Sequence, residues 1–207
     1  LMALRQTEVK RLLAYSSVAQ VGYMLVGFGT AVAYGIFDGA AGGFFHLFNH
    51  AVMKGLAFLA AGVLLYAIHI ANGSHAALTV DDLNGAAKKY PLTAFALSVA
   101  VLALGGLPPL SGFISKWQIV VAGATVRSTP MLWLVIFTGL NSVLSLGYYA
   151  PLVNRLYRRE PSAAVLAGKP AAALMALPLV VLVLLALVPG FWPPAVTWLT
   201  GPAAASL

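Results

Sequence analysis

The apolar run from Phe44 to Tyr66 is long enough to cross a lipid bilayer, whose hydrocarbon core of about 30 Å needs about 20 helical residues. Three basic side chains interrupt this run, His46, His50 and Lys54, and Lys116 follows a later Gly- and Pro-rich break. Neither lysine has a carboxylate nearby in the sequence. Because a lysine at the centre of a membrane helix costs about 2.5 to 3.5 kcal/mol on insertion scales, its presence indicates a use such as an ion or proton path.

The composition excludes an ordinary soluble domain. Of the 207 residues, 61% are hydrophobic and 8% are charged, whereas soluble domains carry about 25% charged residues. The net charge of +7 comes mostly from short basic clusters between apolar runs, which is typical of membrane helix flanks and not of a nucleic-acid-binding face. Since the chain has no cysteine, it can form no disulfide, thiolate metal site or iron–sulfur centre of its own.

The apolar runs predict an all-α integral membrane protein with about six transmembrane helices. No signal-peptide pattern is present at the start, and the first residue is leucine, so we expect the sequence to begin within a longer protein. The predicted spans are Leu12–Ala33, Gly43–Ile68, Pro91–Leu107, Ser111–Val126, Met131–Val153 and Ala171–Val188.

The third and fourth spans are short and are separated by a segment that cannot continue a helix. Proline lacks the N–H donor and its ring clashes with the preceding turn. The backbone groups freed there must bind protein or water, because lipid offers no hydrogen bonds. Short segments interrupted in this way indicate a transport site. We therefore predict a broken helix pair around Gly105, Gly106, Pro108, Pro109 and Gly112.

Positions 46, 50 and 54 form one stripe on a helix, because each step of four residues advances about 40° and rises about 6 Å. Two histidines and a lysine along about 12 Å predict a proton relay, since histidine can take a proton on one ring nitrogen and release one from the other. In the alternative interpretation these groups only hydrogen-bond to neighbouring helices. On the first span Ser16, Gln20 and Tyr23 form a second polar stripe, which either joins helices or lines a water-filled lumen.

A metal or haem site is a weaker interpretation of the histidines. The segment from His46 to His50 lacks the internal glutamate of the zinc-protease motif, and the predicted spans contain no carboxylate. His69 and His75 fall at the end of the second span and in the following loop, where they do not suit a bis-histidine haem across the bundle. We predict no metal and no cofactor on this chain.

Three motifs occur in order along the chain: LRQTEVKRLLAYSSVAQVGY at 4–23, HLFNHAVMKGLAFL at 46–59 and GLPPLSGFISKW at 106–117. Together they resemble the second half of the antiporter-like subunits of respiratory complex I (NADH:quinone oxidoreductase), and of their relatives in multi-subunit Mrp-type cation/proton antiporters and membrane-bound hydrogenases. The resemblance implies about fourteen spans in two inverted repeats. Residues 1–170 would then be the second repeat, residues 171–207 a C-terminal transmembrane helix and tail, and the first repeat would be absent from this sequence.

The resemblance also implies roles for individual residues. Lys116 matches the family's lysine on the broken helix of the second half-channel, and His50 and Lys54 match the central hydrophilic axis. Lys10 matches the basic position that opens the first motif. One paralogous class carries glutamate where Lys116 stands, which argues against that class. The remaining features conflict over which paralogous subunit this is. The motif of two histidines and a lysine is closer to the large and cation-antiporter-like subunits, whereas the compact finish after Trp192 suits the smaller quinone-proximal or antiporter D-type subunit.

The function implied is that of a proton-translocating subunit with no redox chemistry of its own, in the cytoplasmic membrane of a bacterium or archaeon. Its partners would be the lipid bilayer and other membrane subunits, and no nucleic acid. The alternative is a subunit of a Na⁺(K⁺)/H⁺ antiporter or a membrane-bound hydrogenase. Sodium prefers oxygen ligands, ideally carboxylates and carbonyls, and the spans contain no Asp or Glu, which favours protons. A purely structural anchor would not explain two buried lysines.

Overall fold

The computed structural model describes residues 2–158, 160–171 and 173–205, and within these ranges the fold is a bundle of α-helices without β-strands. Short 3₁₀ turns lie at Met2–Arg5, Ile70–Asn72, Ala86–Lys88 and Ala173–Met175. The helices are α1 (Val9–Tyr34), α2 (Phe37–Ile68), α3 (Pro91–Gly105), α4 (Ser111–Thr125), α5 (Thr129–Arg158), α6 (Ala163–Ala167), α7 (Ala176–Phe191) and α8 (Pro194–Ala205).

All six predicted spans contain a helix, and the prediction of an all-α membrane protein is confirmed. Among the described residues, α1, α2, α5 and α7 lie in four segments long and apolar enough to cross a membrane. α3 and α4 have 15 residues each and are shorter, so the count of six spans stays a prediction. α2 begins at Phe37, before the predicted Gly43, and this places Asp38 in its first turn.

α1 and α2 form a tightly packed antiparallel hairpin. The turn between them uses Gly35, whose φ of 68° is the left-handed conformation that glycine adopts without strain. The helices approach closely because a Cβ on Gly27 would lie only 2.5 Å from the carbonyl oxygen of Gly39. Such small residues are typical of helix contacts in membranes. The hairpin register brings the polar stripe of α1 against the basic stripe of α2.

The predicted broken helix pair is confirmed. α3 ends at Gly105, Gly106 takes a left-handed φ of 78°, and α4 begins at Ser111 after a cis bond between Pro108 and Pro109. The two halves cross so closely that a Cβ on Gly112 would overlap the backbone of α3. α2 packs against both halves of the break, and also against α1, α7 and α8, which makes α2 the central helix of the bundle.

Candidate functional site

The helix break provides a buried site for Lys116. The Lys116 side chain is 5% exposed, and its Nζ donates to the carbonyl oxygen of Leu104 at 2.7 Å and to Ser142 Oγ at 3.3 Å. Ser142 in turn donates to the carbonyl oxygen of Gly105 at 3.1 Å. The last carbonyls of a helix have no partner within the helix and form the negative end of its dipole. Ending α3 here therefore gives an ammonium group its acceptors.

His46 connects to Lys116 through Gln20. Its Nε2 lies 3.0 Å from Gln20 Oε1, and Gln20 Nε2 donates to the same Leu104 carbonyl at 3.1 Å. With the amide nitrogen on the carbonyl, Gln20 offers its oxygen to the ring, so Nε2 of His46 carries the hydrogen. The other nitrogen, Nδ1, lies 2.9 Å from Ser115 Oγ. A continuous hydrogen-bonded chain thus runs from Ser115 through His46, Gln20 and the Leu104 carbonyl to Lys116.

Lys54 has a similar but separate site one turn away along α1. Its Nζ lies 2.5 Å from Ser16 Oγ and 2.5 Å from the carbonyl oxygen of Leu13, and its side chain is 6% exposed. Ser16 and Gln20 are four residues apart on α1, which is a rise of about 6 Å. The polar stripe of α1 therefore meets both Lys54 and His46.

The other two candidates are placed differently. His50 is half-buried between His46 and Lys54 on α2, and its Nε2 has no protein partner within the described ranges. One or two waters can bridge such a gap. Lys10 is exposed in the first turn of α1, and the structure does not bring it to the buried cluster.

Tyr23 closes one side of the site. Its ring centroid lies 4.6 Å from Lys116 Nζ, and the ring packs edge-on against His46 with centroids 5.7 Å apart. The face of an aromatic ring attracts a cation at this distance. The hydroxyl accepts a hydrogen bond from Asn141 Nδ2 at 2.9 Å.

Several groups of this site were missed by the sequence analysis. Asn49 is buried and donates to the carbonyl oxygen of Ser111 at 3.0 Å, where it holds the start of α4. Ser115, Asn141 and Ser142 complete the contacts of the buried basic groups. These four are polar residues within apolar runs, which is a signal that a scan of each span would have found. Nothing in the sequence marks the backbone carbonyl of Leu104 as the acceptor that Gln20 and Lys116 share.

The carboxylates lie away from the two lysines. Pairs form at one end of the bundle between Arg11 and Glu8 (3.1 Å), His69 and Asp82 (3.2 Å), Lys88 and Glu160 (3.0 Å), and Arg155 and Asp81. Asp38 is exposed. Among the residues that the structure describes, no three His, Asp or Glu side chains come together as a metal site would require.

Several hydrogen bonds stabilise the Asp82 carboxylate. Its partial burial opposes ionisation, but hydrogen bonds from the backbone N–H and the hydroxyl of Thr79, together with His69, outweigh this and lower the pKa of the Asp82 carboxyl. The pair joins the loop that precedes α3 to the end of α2.

Comparison with known proteins identifies relatives of this chain. The chain is 36% identical to F(420)H(2) dehydrogenase subunit N of Methanosarcina mazei, over 93% of this chain and 38% of that protein. It is 37% identical to NADH-quinone oxidoreductase subunit N 1 of Sorangium cellulosum, over 93% of this chain and 36% of that protein. The chain thus spans less than two fifths of the length of these relatives.

A chain of respiratory complex I from Thermus thermophilus has a similar structure, with a TM-score of 0.74 and 32% identity over 96% of this chain and 42% of that one. The family model described as NADH:quinone oxidoreductase/Mrp antiporter, transmembrane, matches residues 1–145, a range that includes all three sequence motifs. The chain therefore belongs to the NADH:quinone oxidoreductase/Mrp antiporter transmembrane family.

Proposed function

We propose that this chain is part of a proton-translocating membrane subunit of a complex I-like respiratory oxidoreductase. The observation that carries the proposal is the buried hydrogen-bonded chain from His46 through Gln20 to Lys116, with Lys54 one turn away. Among the residues that the structure describes, neither lysine contacts a carboxylate. Two relatives, named F(420)H(2) dehydrogenase subunit N and NADH-quinone oxidoreductase subunit N 1, support the assignment to an oxidoreductase. Partners would be the other membrane subunits of that complex.

The neutral partners of the two lysines suit reversible proton binding. Leu104, Leu13 and the serine hydroxyls accept hydrogen bonds from an ammonium group, but they carry no full charge that would hold the proton in place. When a lysine releases its proton, the N–H bond breaks, the electron pair stays on Nζ, and the proton passes to a water. His46 carries a proton on one ring nitrogen and can accept one on the other, so it can exchange protons with neighbouring water. The Gln20 amide and the Leu104 carbonyl hold His46 and Lys116 near each other, and the proton itself would cross between them through water.

The remaining residues of the candidate set have supporting roles in this proposal. His50 continues the relay between His46 and Lys54 through water, and Ser16, Gln20 and Tyr23 line the path. Lys10, on the exposed face of α1, offers a basic group near the surface. The break at Gly105, Gly106, Pro108, Pro109 and Gly112 supplies the free carbonyls. Redox chemistry would take place on other subunits, and residues 1–170 and 171–207 would act as repeat and C-terminal helix.

The test measures proton pumping by the assembled complex that contains the complete subunit. In inverted membrane vesicles, driven by the complex's own electron donor, Lys116→Ala should reduce the quenching of a pH-sensitive dye by at least about tenfold, since positioned proton transfer contributes about 10² to 10⁴ in rate. Assembly should persist, because the substitution removes a costly buried charge and leaves a small cavity. The control is Lys88→Ala, which removes an exposed lysine paired with Glu160.

Normal pumping by an assembled Lys116→Ala complex would rule out the role of Lys116. Identification of the proteins that copurify with the subunit tests the second part, since redox subunits support an oxidoreductase. Copurification with cation-antiporter subunits alone, together with sodium-dependent proton movement, would instead assign the chain to the antiporter branch that the family description also includes.

A further inference from the structure

A cavity of about 280 Å³ lies at the loop end of the bundle, the end at which α1, α3 and α7 begin and the ion pairs lie. The floor of this loop-end cavity consists of Val63 from α2 and Leu179 from α7, which are 7% and 1% exposed. Leu92 from α3 and Met175, just before α7, line its outer part and are 37% and 40% exposed. The loop-end cavity therefore has apolar walls that extend from the buried interior to the outer surface of the bundle.

α3 begins at this cavity without a capping side chain. Tyr90 is the N-cap residue, and its side chain makes no capping hydrogen bond. Pro91 has no N–H, and the first hydrogen bond of the helix runs from the Ala94 N–H to the Tyr90 carbonyl oxygen at 2.9 Å. The N–H groups of Leu92 and Thr93 therefore have no acceptor within the helix and form the positive end of its dipole. Both residues line the loop-end cavity.

The Thr93 hydroxyl is a further group without an internal partner. Thr93 lines the cavity and is 4% exposed, and within the described ranges its hydroxyl forms no hydrogen bond. Ser98 shows the usual arrangement further along the same helix, where its hydroxyl donates to the Ala94 carbonyl oxygen at 2.7 Å. Because a buried hydroxyl without a partner is costly, the position of Thr93 indicates a ligand in the cavity that accepts its hydrogen bond.

Lys89 gives the loop-end cavity a positive charge. Its Nζ donates to the carbonyl oxygens of Leu166 at 2.8 Å and Gly168 at 2.5 Å, and one of the three ammonium N–H groups remains. The neighbouring Lys88 instead pairs with Glu160 at 3.0 Å. The described residues that line the cavity include Lys89 and no Asp or Glu. The charge of the cavity is therefore not neutralised from within the described part of the chain.

We propose that the loop-end cavity binds an anionic phospholipid, with its phosphate at the start of α3 and an acyl chain along the apolar walls. The N–H groups of Leu92 and Thr93 and the Thr93 hydroxyl donate to phosphate oxygens, as at other helix N-termini that bind phosphate. Lys89 supplies the counter-charge, and basic pockets between membrane helices bind anionic headgroups in this way. The exposed Lys169, which precedes the lining residue Pro170, disfavours a headgroup that carries its own cation.

The occupant is a lipid because a soluble phosphate would leave the apolar walls in contact with water. An acyl chain covers Leu179 and Val63 and continues past Leu92 to the surrounding bilayer. This binding site lies at the opposite end of α3 from the Leu104 carbonyl, and it does not depend on proton translocation.

The test uses the assembled complex that contains the complete subunit, purified in a non-ionic detergent. Two photoactivatable lipids with the same diazirine-labelled acyl chain are compared, phosphatidylglycerol and phosphatidylcholine. Peptide mass spectrometry then measures labelling of the segments that contain Leu92 and Leu179. We expect at least about fivefold more labelling by phosphatidylglycerol, because a lysine near an anionic headgroup contributes about this factor. Equal labelling by the two lipids, or labelling by neither, would overturn the proposal.

Substitutions at Lys89 locate the headgroup. Lys89→Met should lower phosphatidylglycerol labelling to the level of phosphatidylcholine, whereas Lys89→Arg keeps the charge and should retain most of the labelling. Lys88→Met is the matched control, because Lys88 pairs with Glu160 and does not line the cavity. It should leave labelling unchanged. Unchanged labelling in Lys89→Met would show that the lipid does not bind through this cavity.

A second variant covers the case in which Lys89→Met does not assemble, since Lys89 also joins two loop carbonyls. Thr93→Val replaces only the hydroxyl by a methyl group and should lower phosphatidylglycerol labelling several-fold. Ser98→Ala, which removes a hydroxyl of the same helix away from the cavity, is its control. Labelling that stays unchanged in Thr93→Val would remove the start of α3 as the phosphate site.

A competition experiment separates a lipid from a soluble phosphate. A large excess of glycerol 1-phosphate, the water-soluble part of the headgroup, should not reduce the labelling by phosphatidylglycerol, because it lacks the acyl chains that fill the apolar part of the cavity. Complete competition by glycerol 1-phosphate would assign the site to a soluble phosphate and overturn the lipid.

Discussion

The basic side chains inside the bundle have different partners from four of those at its loop end. Lys54 and Lys116 donate to backbone carbonyls and serine hydroxyls and are at most 6% exposed. At the loop end Arg11, Lys88 and Arg155 pair with carboxylates, and His69 contacts Asp82. The same chain thus supplies full counter-charges where water is present and only dipoles where it is excluded.

The difference follows from what each position has to do. A carboxylate holds its partner in the charged form by direct attraction, which suits a contact that joins two elements permanently. A carbonyl or a hydroxyl can bind an ammonium group and remain satisfied by other partners when the proton leaves. The ammonium group of Lys116 on α4 lies beside the last carbonyls of α3. It is therefore attracted by the dipole of α3 without a neighbouring ion. The interior sites are therefore suited to changing their charge and the loop-end pairs to keeping theirs.

The largest expected effect comes from fixing the charge in the interior. Lys116→Arg keeps the positive charge and the hydrogen-bond donors, but a guanidinium does not release its proton. We expect proton pumping by the assembled complex to fall by at least about tenfold, as for the alanine variant, because proton transfer at this position is lost. The measurement is dye quenching in inverted vesicles at equal complex content.

The matched exchange at the loop end is Arg155→Lys, which should leave pumping within about twofold of wild type, because exposed pairs contribute only about 0 to 1 kcal/mol. Arg155 pairs with Asp81 and needs only to stay charged. Substantial pumping by Lys116→Arg would show that the lysine acts through its charge alone, and the distinction between the two regions would fail.

An intermediate effect is expected from giving the interior a carboxylate. Ser142→Asp would place an acidic group beside Lys116, where two unit charges about 4 Å apart attract by about 4 kcal/mol at an effective dielectric constant of about 20. We expect pumping to fall several-fold because the ammonium form is held. Ser142→Asn, which adds a polar group of the same size without charge, should pump several-fold better than Ser142→Asp. Equal pumping by the two variants would contradict the argument.

Much of this arrangement could be predicted from the sequence, and the reasons are physical. The break was predictable because Pro108 and Pro109 cannot donate a backbone hydrogen bond, and helical spacing predicted that Ser16 and Gln20 share one face of α1. The polar stripe of α1 was left open between joining helices and lining a path, and the structure shows Gln20 contacting both His46 and the Leu104 carbonyl.

Other parts could not be predicted from residue types. The acceptor that joins Gln20 to Lys116 is a backbone carbonyl, which every residue has, and only the end of α3 makes that of Leu104 available. The start of α2 at Phe37 was missed because the glycines from Gly39 to Gly43 look like a loop, whereas here Gly39 and Gly43 allow close packing against α1 and Gly42 against α4. Lys10 matched a motif, yet a motif does not fix burial, and its side chain is exposed.

The smallest effect is expected at the loop end, where a carboxylate can be removed without touching the interior. Asp82→Asn should leave pumping unchanged and lower the free energy of unfolding at pH 7 by about 1 kcal/mol, the typical net worth of a hydrogen bond.

Because the pKa of the Asp82 carboxyl is lowered in the folded state, its stabilisation is complete above the unfolded value of about 3.9 and is lost as the pH falls through the folded value. The difference in thermal unfolding midpoint between wild type and Asp82→Asn should therefore be smaller at about pH 3 than at about pH 5, which lie about one unit below and above the unfolded pKa. The control is Asp81→Asn at the more exposed neighbouring carboxylate, which should lower the thermal unfolding midpoint by less than Asp82→Asn does. A constant difference across this pH range would show that the Asp82 contacts do not depend on its charge.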